Sequence, residues 1–331
     1  MKKLLLTIAA IAVVNPVFSA GKDVELYGSF RPVLNTTMQG DDTTVDVEDA
    51  LSRFGLKGAT DVEKIGKAYF QGEWSVPIQD SAQLERSRLA LVGLDTDYGS
   101  IVIGKQRPAH YSMIAEYADI FNHGLSPFAY DSAGSPFFVD NAVKYELNKA
   151  GVKFQVLSRN TGTNKENMHN VGLGYDLAMS GMSLYVAGAY LYQKKDETAL
   201  EATDFDTKVK TTSKAATVAL TLGDFYVAAV MQDNDLENKA EVETNVKTLD
   251  LSAAYALGSG YKVKAGWFNY DDDIDGAASG DFTGGNLTLE NQLADNVRVH
   301  IEYLHKDFSE QDDAQQTVNL GLRYDFSASI N

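Results

Sequence analysis

Thr317-Val318-Asn319-Leu320-Gly321-Leu322-Arg323-Tyr324-Asp325-Phe326 is the stretch on which the fold class turns. Val318, Leu320, Leu322, Tyr324 and Phe326 fall on one side of an extended chain. Thr317, Asn319, Gly321, Arg323 and Asp325 fall on the other. Successive side chains of a strand point to opposite faces, so this is a strand with one apolar and one polar side. Upstream, Val297, Val299, Ile301 and Tyr303 oppose Arg298, His300, Glu302 and Lys306. Further back, Met182, Leu184, Val186, Gly188, Tyr190 and Tyr192 oppose Ser183, Tyr185, Ala187, Ala189 and Leu191.

Carried along the chain, the alternation predicts sixteen strands. They fall near 23–35, 49–59, 66–78, 84–95, 100–107, 139–148, 151–160, 168–179, 181–193, 212–222, 224–232, 245–257, 261–270, 281–293, 297–307 and 315–326. Short connections rich in Gly, Asn and Asp, such as Ser180-Gly181, Gly223-Asp224 and Gly258-Ser259-Gly260, suit tight hairpins. Longer, mostly acidic loops are expected at 36–48, 194–211, 233–244, 271–280 and 308–314. Short turns at one end and long loops at the other are the asymmetry of a membrane barrel.

The polar faces carry Arg53 and Lys57, or Lys144 and Glu146. Packing such charges into a dry core would cost several kcal/mol each. Sixteen strands also enclose a lumen too wide for side chains to fill. The predicted fold is therefore all-β: a transmembrane antiparallel β-barrel of 16 strands, lipid outside and water inside. The soluble β-protein reading fails on the charged alternate faces.

The chain has 331 residues, 46 acidic and 29 basic, a net charge of −17 and no cysteine. Zero cysteine excludes disulfides, thiolate metal sites and cysteine nucleophiles. The acidity excludes a nucleic-acid backbone binder. Lys2 and Lys3, the apolar Leu4–Val14 and Val17-Phe18-Ser19 predict a signal peptide over 1–19, cleaved after Ser19. Loss of those residues, with two lysines and no acid, leaves 312 residues and takes −17 to −19. The barrel then occupies 20–331, and no later apolar run is long enough for a spanning helix.

Several stretches resemble the Gram-negative general diffusion porins of gammaproteobacteria. They are Glu25-Leu26-Tyr27-Gly28, Arg53-Phe54-Gly55-Leu56-Lys57-Gly58, Arg88 to Leu94, Tyr98 to Lys105, and Leu320 to Phe326. The resemblance implies a homotrimer in the outer membrane and passive diffusion of small hydrophilic solutes. It implies no cofactor and no catalysis. The partners it implies are outer-membrane lipid and lipopolysaccharide, and the barrel insertion machinery, which reads an aromatic last strand. Tyr324 and Phe326 fit that assembly signal, although Ser327–Asn331 follow.

The resemblance also implies that the loop after the fifth strand, about 108–139, folds inward and narrows the pore. Its apolar and aromatic content (Tyr111, Met113, Ile114, Tyr117, Ile120, Phe121, Phe128, Phe137 and Phe138) disfavours disorder.

Selectivity should arise where basic wall residues face acids on that loop. Alternation offers Arg31, Arg53, Arg86 and Arg88 as the basic wall. The loop acids are Glu116, Asp119 and Asp131, with Asp140 at the loop's end. The net charge predicts mild cation preference. Relatives often place a basic pore residue where this chain has Asp140-Asn141. An oligosaccharide- or phosphate-specific channel is the alternative, needing an aromatic ladder such as Tyr111, Tyr117, Phe121 and Tyr130. A surface adhesin would need longer loops. Asp271-x-Asp273-x-Asp275-Gly276 resembles half of a calcium loop, but Phe282 stands where a glutamate is required. His110, His123, His300 and His305 form no metal pattern.

Overall fold

The computed structural model describes residues 24–79, 83–122, 128–161, 166–195, 208–273 and 280–330. The predicted leader 1–19, His123 and Asp275-Gly276 lie outside them.

Sixteen antiparallel strands close into a barrel. The first two are each broken once: β1 is Val24–Phe30 and Pro32–Gln39, and β2 is Asp42–Asp49 and Arg53–Val62. There follow β3 (Gly66–Ser75), β4 (Ser87–Thr96), β5 (Gly99–Gln106), β6 (Val139–Lys149), β7 (Val152–Asn160) and β8 (Glu166–Met179). The second half comprises β9 (Met182–Lys195), β10 (Lys208–Leu222), β11 (Phe225–Asn238), β12 (Glu243–Gly258), β13 (Tyr261–Asp272), β14 (Phe282–Ala294), β15 (Val297–Phe308) and β16 (Gln315–Ile330). Each strand pairs with its sequence neighbour, and β16 closes on β1.

The faces are inverted relative to a soluble protein. Val92, Ile101, Ile103, Leu173, Val218, Leu287, Ile301 and Leu320 are exposed on the outside. Asn35, Glu73, Lys144, Asn170, Thr248, Lys264, Thr288, Glu302 and Asn319 are buried within. Only a lipid exterior makes that arrangement favourable. Trp267, Tyr303 and Tyr324 also point outward.

Two boundaries differ from the periodicity. The predicted loops at 36–48 and 233–244 are largely strand. β1 and β2 meet in a two-residue turn, and β11 and β12 continue to Asn238 and from Glu243. Beyond the bilayer neither face needs to be apolar, so backbone pairing extends strands that side-chain alternation no longer marks. The second difference is at the C-terminus. Ser327–Ile330 continue β16 and pair with Tyr27–Val24. These four pairs extend the closing seam past Phe326.

At that seam the Phe326 ring lies on Gly28, beside Phe30 at 5.5 Å. A Cβ on Gly28 would run into the ring and sit 2.9 Å from the Arg53 carbonyl oxygen. We expect Gly28→Val to cost about 1–3 kcal/mol through overpacking. The check is the thermal unfolding midpoint in detergent; no change would mean that the ring moves aside freely.

Candidate functional site: an inward loop facing an arginine wall

Between β5 and β6 the chain leaves the wall and crosses the lumen. It forms a π-helical turn (His110–Ile114), a 3-10 turn (Ala115–Tyr117) and a short helix, α1 (Ala129–Ser132). Its apolar side has a matching surface. Met113, Ile114, Ala118, Phe128 and Tyr130 pack with Ala215, Val230, Phe268 and Phe282, which β10, β11, β13 and β14 turn inward. A pore lined only by polar groups would give such a loop nowhere to bury these side chains.

Hydrogen bonds fix the loop along the same wall. His110 N donates to Asn170 Oδ1 (3.1 Å), and its ring lies 2.9 Å from Ser213 Oγ and from Asn170 Nδ2. Burial holds the His110 imidazole down to about 3, so it stays neutral in the physiological range. Tyr185 OH donates to Met113 O (3.1 Å), Ser252 Oγ to Ala118 O (2.7 Å) and Lys264 Nζ to Ile120 O (2.9 Å). Asn122 N donates to Glu302 Oε2 (3.3 Å). On the returning arm, Ala129 N and Tyr130 N donate to the Asp250 carboxylate (2.7 and 3.2 Å).

The basic wall lies on the other side. Arg31 stands at the break in β1, where its N donates to Ser52 Oγ (2.7 Å) and its Nε to Ser29 Oγ (2.8 Å). Arg53 opens the second piece of β2, directly across from Ser29. Arg88 reaches the lumen through an irregularity in pairing. Glu73 of β3 pairs with Leu89 and Trp74 with Ser87, which leaves Arg88 without an opposite residue. The spacing of Arg86 and Arg88 predicts one shared lumenal face, but parity with Ala90 and the exposed Val92 would send Arg88 to the lipid side; the bulge turns it inward, where it is buried.

Glu73 is the hub. It accepts from Arg88 Nε (2.7 Å) and Tyr27 OH (3.0 Å), and Arg53 Nη1 lies 3.9 Å away. Arg86 precedes β4 and is exposed, and its carbonyl accepts from Ser75 N at 3.1 Å. Two further arginines join the electrostatics: Arg323 of β16, paired with Asp325 at 2.8 Å, and Arg107 at the root of the loop. Arg107 pairs with Glu116 at 2.8 Å and stacks on the Tyr111 ring at 4.4 Å. Phe138 lies between Arg88 (5.1 Å) and Arg107 (5.6 Å).

Asp119 is the loop acid that faces this wall. It accepts from Tyr111 OH (2.7 Å) and feels the charges of Arg107, Arg53 and Arg88. Although its side chain is open to the lumen, enclosure by the barrel raises its carboxyl above the ordinary aspartate range, and burial keeps the Tyr111 phenol protonated. Asp131 lies farther along the loop, under the influence of Lys306. Asp140 is the second residue of β6, is 56 % exposed at its side chain, and pairs with Arg159 of β7 at 2.9 Å rather than with the arginine wall.

Glu73, Arg107 and Arg323 escaped the sequence analysis. Arg323 sat on a recognised polar face, but only barrel closure brings the last strand beside the first. Glu73 also lies on the polar side of a predicted strand; nothing local marks it as the partner of two arginines. The aromatic residues considered for a ladder are mostly loop packing. Tyr111 and Tyr130 are buried, Phe121 packs on Phe268 (5.7 Å) and Tyr117 stacks on Tyr185 (4.1 Å).

A barrel with a lipid-facing exterior, a polar lumen and a docked internal loop is an outer-membrane channel. The family model described as Gram-negative porin matches residues 7–330, and the chain belongs to that family. No curated protein matches the sequence. Among solved structures, OmpF of Salmonella typhi in complex with daunomycin is similar at TM-score 0.75 and 18 % identity, covering 92 % of this chain and 98 % of that one. The trimer form of OmpT, an outer membrane protein of Vibrio cholerae, follows at 0.68 and 19 %, covering 92 % and 99 %. An anion-selective porin from Comamonas acidovorans matches at 0.69 and 14 %, covering 92 % and 99 %. The protein is thus a diffusion channel of the outer membrane.

Proposed function

We propose that this chain is a general diffusion porin, passing small hydrophilic solutes and ions without energy input and with mild cation preference. The supporting observation is the slot itself. Asp119, on a loop docked inside the lumen, feels the charges of Arg53, Arg88 and Arg107. Such opposed charges set a transverse field that orients dipolar solutes. The acidic balance of the mature chain enriches cations at the mouths.

In this reading residues 1–19 are removed at export and the protein works as a homotrimer, as one similar structure does. Lipopolysaccharide surrounds the barrel, and the insertion machinery reads Tyr324 and Phe326 within the strand rather than at its end. The burial of Tyr111 and Tyr130 speaks against a specific oligosaccharide channel.

The test is the purified protein in a planar bilayer under a salt gradient, with intact mass to fix the mature start. Stepwise conductance with a cation-selective reversal potential is expected. No conductance would sink the channel reading. An anion-selective potential would hand control to the arginine wall.

A further inference from the structure

Asp250 is a buried carboxylate without a counter-ion. It sits on the lumenal face of β12, directly across from Val230 of β11 and Phe268 of β13. All three side chains are fully enclosed (0 % exposed). Among the described residues no basic side chain pairs with Asp250. Its partners are two backbone N–H groups of the loop, Ala129 at 2.7 Å and Tyr130 at 3.2 Å. Among the described residues the charged group acting on it is another acid, Asp119 of the descending arm; β11 adds Val230 and the neutral Gln232, β13 adds Phe268, and the returning arm adds Tyr130. An unpaired carboxylate in such surroundings is costly unless its hydrogen bonds are kept.

We propose that Asp250 is a positioning residue for conduction: its carboxylate clamps the returning arm of the internal loop to the wall and so holds the slot open. This rests on the reading of the loop as the constriction. The two N–H bonds are charge-assisted and gathered on one side chain, so one substitution removes both. Ser135, which donates to Gln232 Oε1 at 2.9 Å, is a weaker neutral contact on the same arm. When Asp250 takes up a proton, it loses the charge that strengthens both bonds. The arm is then freer to leave Val230 and Phe268 and to enter the slot. Acid should therefore favour closure.

The experiment compares wild type, Asp250→Ala and Asp250→Asn in planar bilayers, with folding checked by heat-modifiable migration on gels. At fixed voltage, Asp250→Ala should close at least about tenfold more often, the factor implied by losing even one of its two hydrogen bonds to a charged group. Asp250→Asn keeps an acceptor oxygen but cannot titrate, so its closures should lose the acid dependence of wild type. Closures in Asp250→Ala as rare as in wild type would overturn the clamp. So would wild-type closures that ignore acid, or an Asp250→Asn channel that follows the wild-type pH profile. If Asp250→Ala fails to fold, the Asp250→Asn profile decides. Absence of any wild-type conductance would instead strike the channel reading itself.

Discussion

Glu73→Ala is expected to produce the largest loss of stability of any single change at the wall, about 3–5 kcal/mol, because it strands the buried Arg88 and the half-buried Arg53. Arg88 would lose its 2.7 Å partner and Arg53 its nearest carboxylate, while Tyr27 OH would lose its acceptor. Arg88 is too enclosed for water to replace what is removed, since the side chains of Arg88 and Glu73 are 8 % and 7 % exposed; Arg53 is half-buried. The guanidinium groups of Arg31, Arg53, Arg88 and Arg323 already act on one another, so deleting the central acid also raises their mutual repulsion. Thermal unfolding in detergent should show the drop. Variant channels that do fold should pass anions more readily. A midpoint unchanged from wild type would show that Glu73 is not the hub. Replacing the arginines together with Glu73 should be milder than removing Glu73 alone, since an apolar or neutral set leaves no uncompensated charge.

The second large effect concerns selectivity. Asp119→Asn should cut the cation-to-anion permeability ratio by about threefold, the factor given by ~0.7 kcal/mol for unit charges about 6 Å apart in water. Acid should mimic the variant. Enclosure by the barrel raises the Asp119 carboxyl, so the neutral form is favoured. As pH falls from neutral, Asp119 therefore takes up its proton before ordinary aspartates do, and the slot loses negative charge. Wild-type cation preference should decline in the mildly acidic range, whereas Asp119→Asn should start low and lack that step. Reversal potentials measured across pH separate the two. An Asp119→Asn channel as cation-selective as wild type would move control of selectivity to the acidic mouths.

Much of this architecture was legible in the chain. A strand repeats its side-chain direction every two residues, so Leu320, Leu322 and Tyr324 declare one face and Asn319, Arg323 and Asp325 the other without any knowledge of neighbours. Sixteen such segments, with charge on the polar faces, already require a wet interior. The long apolar insertion after β5 could be seen as a folded loop because its side chains need a place to bury.

Other features were invisible for stated reasons. Alternation marks only strands whose two faces see different media, so the water-borne ends of β1, β2, β11 and β12 passed as loops. A bulge shifts parity by one residue, and nothing in Ser87-Arg88-Leu89 announces it. Yet that shift carries Arg88 from the lipid side to the lumen. Closure of a barrel joins residues nearly 300 positions apart, so Arg323 beside Arg31 could not be read locally.

The sequence by itself determined the strand count and the inside-out polarity, because these follow from the period of the backbone and the cost of burying charge; the inward course of the loop came from the family resemblance. Only the tertiary structure decided which charges meet: Glu73 between Arg53 and Arg88, Arg107 on Glu116, Asp140 on Arg159, and Asp250 beneath the loop. Those pairings depend on register, bulges and ring closure, and each of these is settled by the whole sheet at once rather than by any one strand.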